Sequence, residues 1–150
     1  MAIEVEVTIE GSKADVWNVI TDIQNAADTI TGIEEIEVLE RPGDGLVGLK
    51  WKETRTIFGR TATEIMWITD VVENEMYKTR AESHGAVYIT SLVVSEQGAK
   101  TRLTMAFDAA PQTLSAKVMA ATTGIFFKKA TKNALEQDLI DIKTAVEQTA

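Results

Sequence analysis

The 150-residue sequence predicts one α+β domain, a curved seven-stranded antiparallel sheet around a long C-terminal helix, with two short helices between the first and second strands. Three observations carry this. The chain opens on a clean two-residue alternation, its middle is a series of β-type segments joined by tight turn signals, and its end changes to a three- and four-residue period.

Ile3, Val5, Val7 and Ile9 alternate with Glu4, Glu6 and Thr8, the pattern of a half-buried strand. Gly11-Ser12 stops it. Ser12 followed by Asp15 has the spacing of a helix cap, with Asp in place of the usual Glu, ahead of the apolar run Val16, Trp17, Val19 and Ile20. A first short helix follows, and Ile23 to Thr31 makes a second, weaker helical turn that ends at Gly32. Arg41-Pro42-Gly43-Asp44-Gly45, Phe58-Gly59, Glu73-Asn74, His84-Gly85 and Gln97-Gly98 then punctuate six strands, at about 33–40, 47–57, 60–72, 76–83, 87–95 and 100–109. Hairpin-length connections make these neighbours antiparallel, because parallel pairs need crossovers of about a dozen residues. After Pro111, the positions Leu114, Val118, Ala121, Ile125, Leu135, Leu139, Ile142 and Val146 define one long helix, about 111–148, with an apolar face toward the sheet. Gly124 within it marks a bend or a close approach.

Composition narrows the function classes. The chain has no cysteine and one histidine, which excludes disulfides and a cysteine nucleophile and argues against structural zinc. No cofactor motif, phosphate loop or nucleophile elbow occurs. A net charge of −8, with no cluster of Lys and Arg, argues against nucleic acid and stable membrane association. The N-terminus carries no basic-then-apolar leader and no stretch reaches about 18 apolar residues, so the reading is a soluble, cytoplasmic, single-domain protein spanning 1–150.

Strand alternation predicts what faces the interior. Leu49, Trp51, Glu53, Arg55 and Ile57 share one face, as do Ala62, Glu64, Met66 and Ile68. If Phe58-Gly59 is a two-residue turn, Glu53 lies opposite Glu64 and Arg55 opposite Ala62; a longer turn puts Arg55 opposite Glu64. Either way two carboxylates and a guanidinium fall on an apolar face, where they must be paired or used. As a used site, Arg55 fixes a ligand anion while Glu53 or Glu64 acts as general acid or base; as a braced site, the three form an internal ion-pair network. Tyr77, Tyr88, Met105 and Phe107 on the later strands, with Met119, Phe126 and Phe127 from the helix, complete an interior wall suited to an apolar or aromatic small molecule. His84, out of phase with Tyr77, Thr79, Ala81 and Ser83, reads as a solvated turn residue. Glu34, Glu35, Glu37 and Glu40 read as a charged edge strand.

The order of elements resembles the helix-grip arrangement of the START-like superfamily, which includes polyketide cyclases, lipid-transfer domains and the birch-pollen allergen group. The resemblance is most specific at Val16-Trp17-Asn18-Val19-Ile20-Thr21-Asp22, similar to the Val-Trp-x-x-Ile/Leu-x-Asp signature of bacterial members, and extends to Gly48-Leu49-Lys50-Trp51, Glu64 to Thr69 and Asp138 to Lys143. Gln24-Asn25-Ala26-Ala27-Asp28-Thr29-Ile30 departs from the aromatic-rich stretch of many relatives, which implies a different pocket entrance. Three functions fit the resemblance: binding of an apolar small molecule, a cyclase or dehydratase acting through Glu53 or Glu64 with Arg55, and an interaction module, in one form a homodimer, contacting through Ile65 and Trp67.

Overall fold

The structure, a computed structural model, describes residues 2–57 and 59–149, with side chains throughout except at 57, 122–127 and 149. Seven strands and a long helix account for most of it: β1 (Ala2–Ile9), α1 (Lys13–Thr21), a 3₁₀ turn (Ile23–Asn25), α2 (Ala26–Thr29), β2 (Ile33–Glu40), β3 (Lys50–Ile57), β4 (Arg60–Val72), β5 (Met76–Ser83), β6 (Ala86–Gln97), β7 (Lys100–Pro111) and α3 (Leu114–Thr149). The strands form one antiparallel sheet in the order β1-β7-β6-β5-β4-β3-β2. The first strand thus returns to pair with the last, Val5 opposite Met105 and Val7 opposite Leu103.

Local chemistry explains the boundaries. Ser12 caps α1, its Oγ accepting from the Asp15 amide at 3.1 Å. Ile57 pairs with Arg60, so the β3–β4 connection has two residues and sets Glu53 opposite Glu64 and Arg55 opposite Ala62; Phe58 itself lies outside the described residues. β3 begins at Lys50 rather than 47, because Gly48 takes φ 95° and its amide reaches across to the Ile68 carbonyl at 2.9 Å. β6 (12 residues) extends beyond the expected 87–95 at both ends and β7 (12 residues) beyond 100–109 at its C-terminal end, since Ala86 pairs with Pro111 and Gln97 with Lys100, which keeps the ladder going to its ends.

Two parts of the interior differ. Ile9, Val16, Val94, Leu103, Leu139 and Val146, each at most 1% exposed, pack as a dry core where β1, β6 and β7 meet α1 and the end of α3. Burial of one such side chain stabilises by about 1.5–3 kcal/mol. Toward β3, β4 and β5 the sheet curves away from the helix and the packing opens into a cavity.

The helix departs from expectation at its start. At about 1.5 Å per residue, the 36 residues of α3 span about 54 Å, longer than a strand of 13 residues at about 3.3 Å each. Leu139, Ile142 and Val146 are buried and Leu135 is partly buried, but Leu114 and Val118 are 79% and 54% exposed and do not lie against the sheet. A periodic apolar stripe shows which face would be buried and says nothing of how far the partner surface extends. The expectations placed on Gly124, Ile125, Phe126 and Phe127 concern side chains and surroundings that lie outside the described residues. No helix among the described residues is long and apolar enough to cross a membrane.

Candidate functional site

The cavity, about 480 Å³, is enclosed by the concave face of β3 to β7, by the α1–α2 segment and by the Ala130–Ile142 part of α3. Its walls include Trp51, Met66, Tyr77, Tyr88, Met105 and Phe107, brought together by register: Trp51 pairs with Met66, Met66 with Ala81, Ala81 with Tyr88, and Leu92 with Met105. Tyr88 and Phe107 stack with centroids 5.9 Å apart. Ile20, Ile23, Ile30 and Ile33 close the side facing the short helices.

Met119 is not part of this wall. It is 61% exposed, because it sits on the N-terminal half of α3, beyond the stretch that lines the cavity. The side chain of Phe126 lies outside the described residues.

The charged trio divides into two groups. Arg55 is held by Glu53, Nε to Oε2 at 2.6 Å, and by Asp138 of α3, with Nη1 and Nη2 donating to the two carboxylate oxygens at 3.1 and 2.8 Å. The bidentate contact fixes the guanidinium plane, and the Trp51 indole donates to the other Glu53 oxygen at 3.2 Å. Burial works against the Arg55 charge, but Glu53 and Asp138 outweigh it and hold its proton far more tightly than usual. Asp138 is 3% exposed, and burial pushes its carboxyl above the ordinary range despite the pull of Arg55. Gly32 lies beside this group: a Cβ there would stand 3.5 Å from Nη1 of Arg55.

Glu64 does not join the ion pair, although it is the cross-strand partner of Glu53. It accepts from the Ser83 hydroxyl at 2.8 Å, and that hydroxyl lies 3.0 Å from Nδ1 of His84. Antiparallel geometry places Glu64 level with Glu53, while Asp138, arriving from the helix, occupies the position across the guanidinium. The Tyr88 hydroxyl is raised by burial and then by the Glu64 charge. Tyr77 is committed elsewhere: its hydroxyl donates to the Ile20 carbonyl at 2.8 Å, its ring meets Trp17 edge-on, and burial, with Glu53 adding, pushes it well above its ordinary value.

Two residues at this site escaped the strand-phase argument. Asp138 carried a signal, since it stands three residues after Leu135 and four before Ile142 on the buried stripe of α3. His84 is an exposed turn residue with φ 51°, as its place beside Gly85 suggests, yet it also lines the cavity.

A sheet wrapped round a helix over a half-open apolar cavity is an architecture that known proteins share. The family model described as polyketide cyclase / dehydrase and lipid transport matches residues 1–147. The chain belongs to this family. No curated protein matches it significantly by sequence. Among solved structures, the family's architecture recurs in a protein from Thermus thermophilus (14% identity, 100% of this chain and 99% of the other, TM-score 0.84). A START superfamily protein from Mycobacterium smegmatis is similar over 99% of both chains (17% identity, TM-score 0.83). A Streptomyces aromatase/cyclase matches 99% of this chain and 94% of its own at 16% identity and TM-score 0.75. At these identities the likeness is one of fold, the START-like helix grip.

Proposed function

We propose that this protein binds an apolar or aromatic small molecule in the cavity between the sheet and α3. The observation that carries the reading is a 480 Å³ space walled by apolar and aromatic side chains, within the volume of ordinary small-molecule sites. A folded chain gains nothing from leaving such a space unpacked, since each missing contact forfeits dispersion energy. The Glu53–Arg55–Asp138 group ties its charges to one another within the wall, and its two carboxylates to one guanidinium leave an excess of negative charge beside an otherwise apolar surface. The family description, which couples cyclase and dehydrase activities with lipid transport, is consistent with such a ligand.

Trp51 lines the cavity and is 3% exposed, so its emission is a direct reporter. Titration with naphthalene-type compounds should change Trp51 fluorescence saturably, and W51F should remove the change while retaining binding by calorimetry. Failure of a panel of apolar bicyclic and long-chain compounds to bind at micromolar to millimolar concentration would refute the reading.

A second reading, an enzyme of cyclase or dehydratase type, is favoured by one observation: Glu64 faces the cavity with no cationic partner among the described residues, next to the hydroxyls of Ser83 and Tyr88. In that case Glu64 is the acid or base that enolises a polycarbonyl substrate, and Glu53 and Arg55 hold the wall in place. E64Q should then abolish turnover of a poly-β-carbonyl compound while leaving its binding within a few-fold.

A further inference from the structure

We propose that Nε2 of His84 is a hydrogen-bond acceptor at the cavity wall that selects ligands carrying a hydroxyl group on an apolar body, with Ser83 and Glu64 as its positioning residues. This selectivity rests on the cavity reading above and deepens it.

The single hydroxyl proton of Ser83 decides the matter. Glu64 as a carboxylate only accepts, and the Ser83 hydroxyl donates to it at 2.8 Å. That proton is then unavailable to His84, whose Nδ1 lies 3.0 Å from the same oxygen. Nδ1 must therefore be the donor, and a neutral ring so protonated presents a bare lone pair at Nε2. Nε2 has no hydrogen-bond partner among the described residues, and His84 is part of the cavity wall.

The backbone holds this arrangement at a cost. His84 and Gly85 both have positive φ, 51° and 74°, in a two-residue turn between Ser83 and Ala86, which pair directly. Glycine meets that demand freely, and His, like Asn and Asp, is among the few side-chain-bearing residues that take it up. The turn is also tied down, since the Gly85 carbonyl accepts from the Gln112 and Thr113 amides at 2.7 and 3.3 Å, where β7 passes into α3. A Cβ on Gly85 would come within 2.4 Å of Thr113 Oγ1, so the turn sits tightly against that junction. The ring is thus fixed from both sides, by its backbone and through Nδ1. The ligand class follows: the apolar cavity takes the body, and a phenol, enol or alcohol O–H reaches Nε2.

The chain has one histidine, so its imidazole nitrogens give unambiguous signals. At about pH 8.5, above the ordinary histidine range, ¹⁵N-detected spectra of the wild-type protein should show the Nδ1–H tautomer. S83A should shift the ring to the Nε2–H form that a free side chain prefers, and S83T, which keeps the hydroxyl, should retain the wild-type form. The binding arm uses 2-naphthol and 2-methoxynaphthalene, in which a methyl group replaces the hydroxyl proton and its added apolar surface works against the preference expected. Wild type should favour 2-naphthol by about three- to tenfold, the worth of one net hydrogen bond. The preference should fall below about twofold in S83A and in H84N, the latter keeping a residue suited to positive φ. An Nε2–H tautomer in the wild type, a preference that survives H84N, or equal saturable binding of both compounds would overturn the inference and leave the cavity reading standing. Absence of saturable binding by either compound would overturn both.

Discussion

Replacing Arg55 by Met removes the counterion from two poorly solvated carboxylates. Glu53 and Asp138 have side-chain exposures of 11% and 4%, and neither reaches enough water to replace the guanidinium. Breaking a buried pair by deleting one partner costs about 3–5 kcal/mol, and the charge-assisted bonds at 2.6, 2.8 and 3.1 Å place this site within that range at neutral pH. A chain of 150 residues unfolds with an entropy of about 0.3 kcal/mol/K, so Tm should fall by about 10–15 °C. The loss must also depend on pH. Without Arg55, the pull that lowers Asp138 is gone, and its folded carboxyl holds a proton at higher pH than the unfolded one, which titrates near 4. The folded state then binds more protons, so the stability of R55M rises as pH falls from about 7.5 toward 5. Asp138 is already raised by burial with Arg55 present, so it should take up the first proton. Denaturant unfolding at about pH 7.5 and 5.5, read by circular dichroism for both proteins, tests this. A loss below about 1 kcal/mol at pH 7.5, or one that does not shrink on acidification, would refute the account of the ion pair.

Leu139→Ala should destabilise by about 2–5 kcal/mol, because the side chain is 1% exposed in the dry core; a denaturation midpoint near that of the parent would contradict its burial. Tyr77 gives an alkaline signature. Its folded value lies above the ordinary 10, so stability is full below about pH 10 and falls as pH rises beyond it, and Y77F should flatten that decline in a series of urea midpoints. Gly85 and Gly98, in successive hairpins, should separate under substitution. Gly98→Ala meets open space and costs about 1–2 kcal/mol for its φ of 64° alone, whereas Gly85→Ala adds a collision with Thr113 and should cost more, as paired thermal melts would show.

Much of this was legible in the residues. The alternation from Ile3 to Ile9, the turn signals and the Leu135-Leu139-Ile142-Val146 spacing specify strands, hairpins and a helix face, because side-chain period is a local property of backbone geometry. Hairpin closure also fixes which strand residues are neighbours, so Trp51, Met66, Tyr88 and Met105 could be assigned to one wall. The two alternative β3–β4 registers could not be separated from sequence, and the Ile57–Arg60 pairing decides between them.

Other matters needed contacts between segments distant in the chain. The guanidinium of Arg55 selects Asp138, 83 residues away, over Glu64, which its own hairpin brings near, because the helix delivers a carboxylate at bidentate geometry and the sheet does not. Leu114, Val118 and Met119 continue the apolar composition of α3 yet lie exposed, on the N-terminal part of the helix outside the Ala130–Ile142 stretch that lines the cavity. His84 shows both levels together: the residue before Gly85 could be read as a turn, but only the curvature of the sheet brings that turn to the edge of a cavity. Period and turn chemistry are written residue by residue, so the sequence determined the elements and their faces. Where those faces end, and which charge meets which, depends on the lengths and angles at which whole elements pack, and the tertiary structure alone decided that.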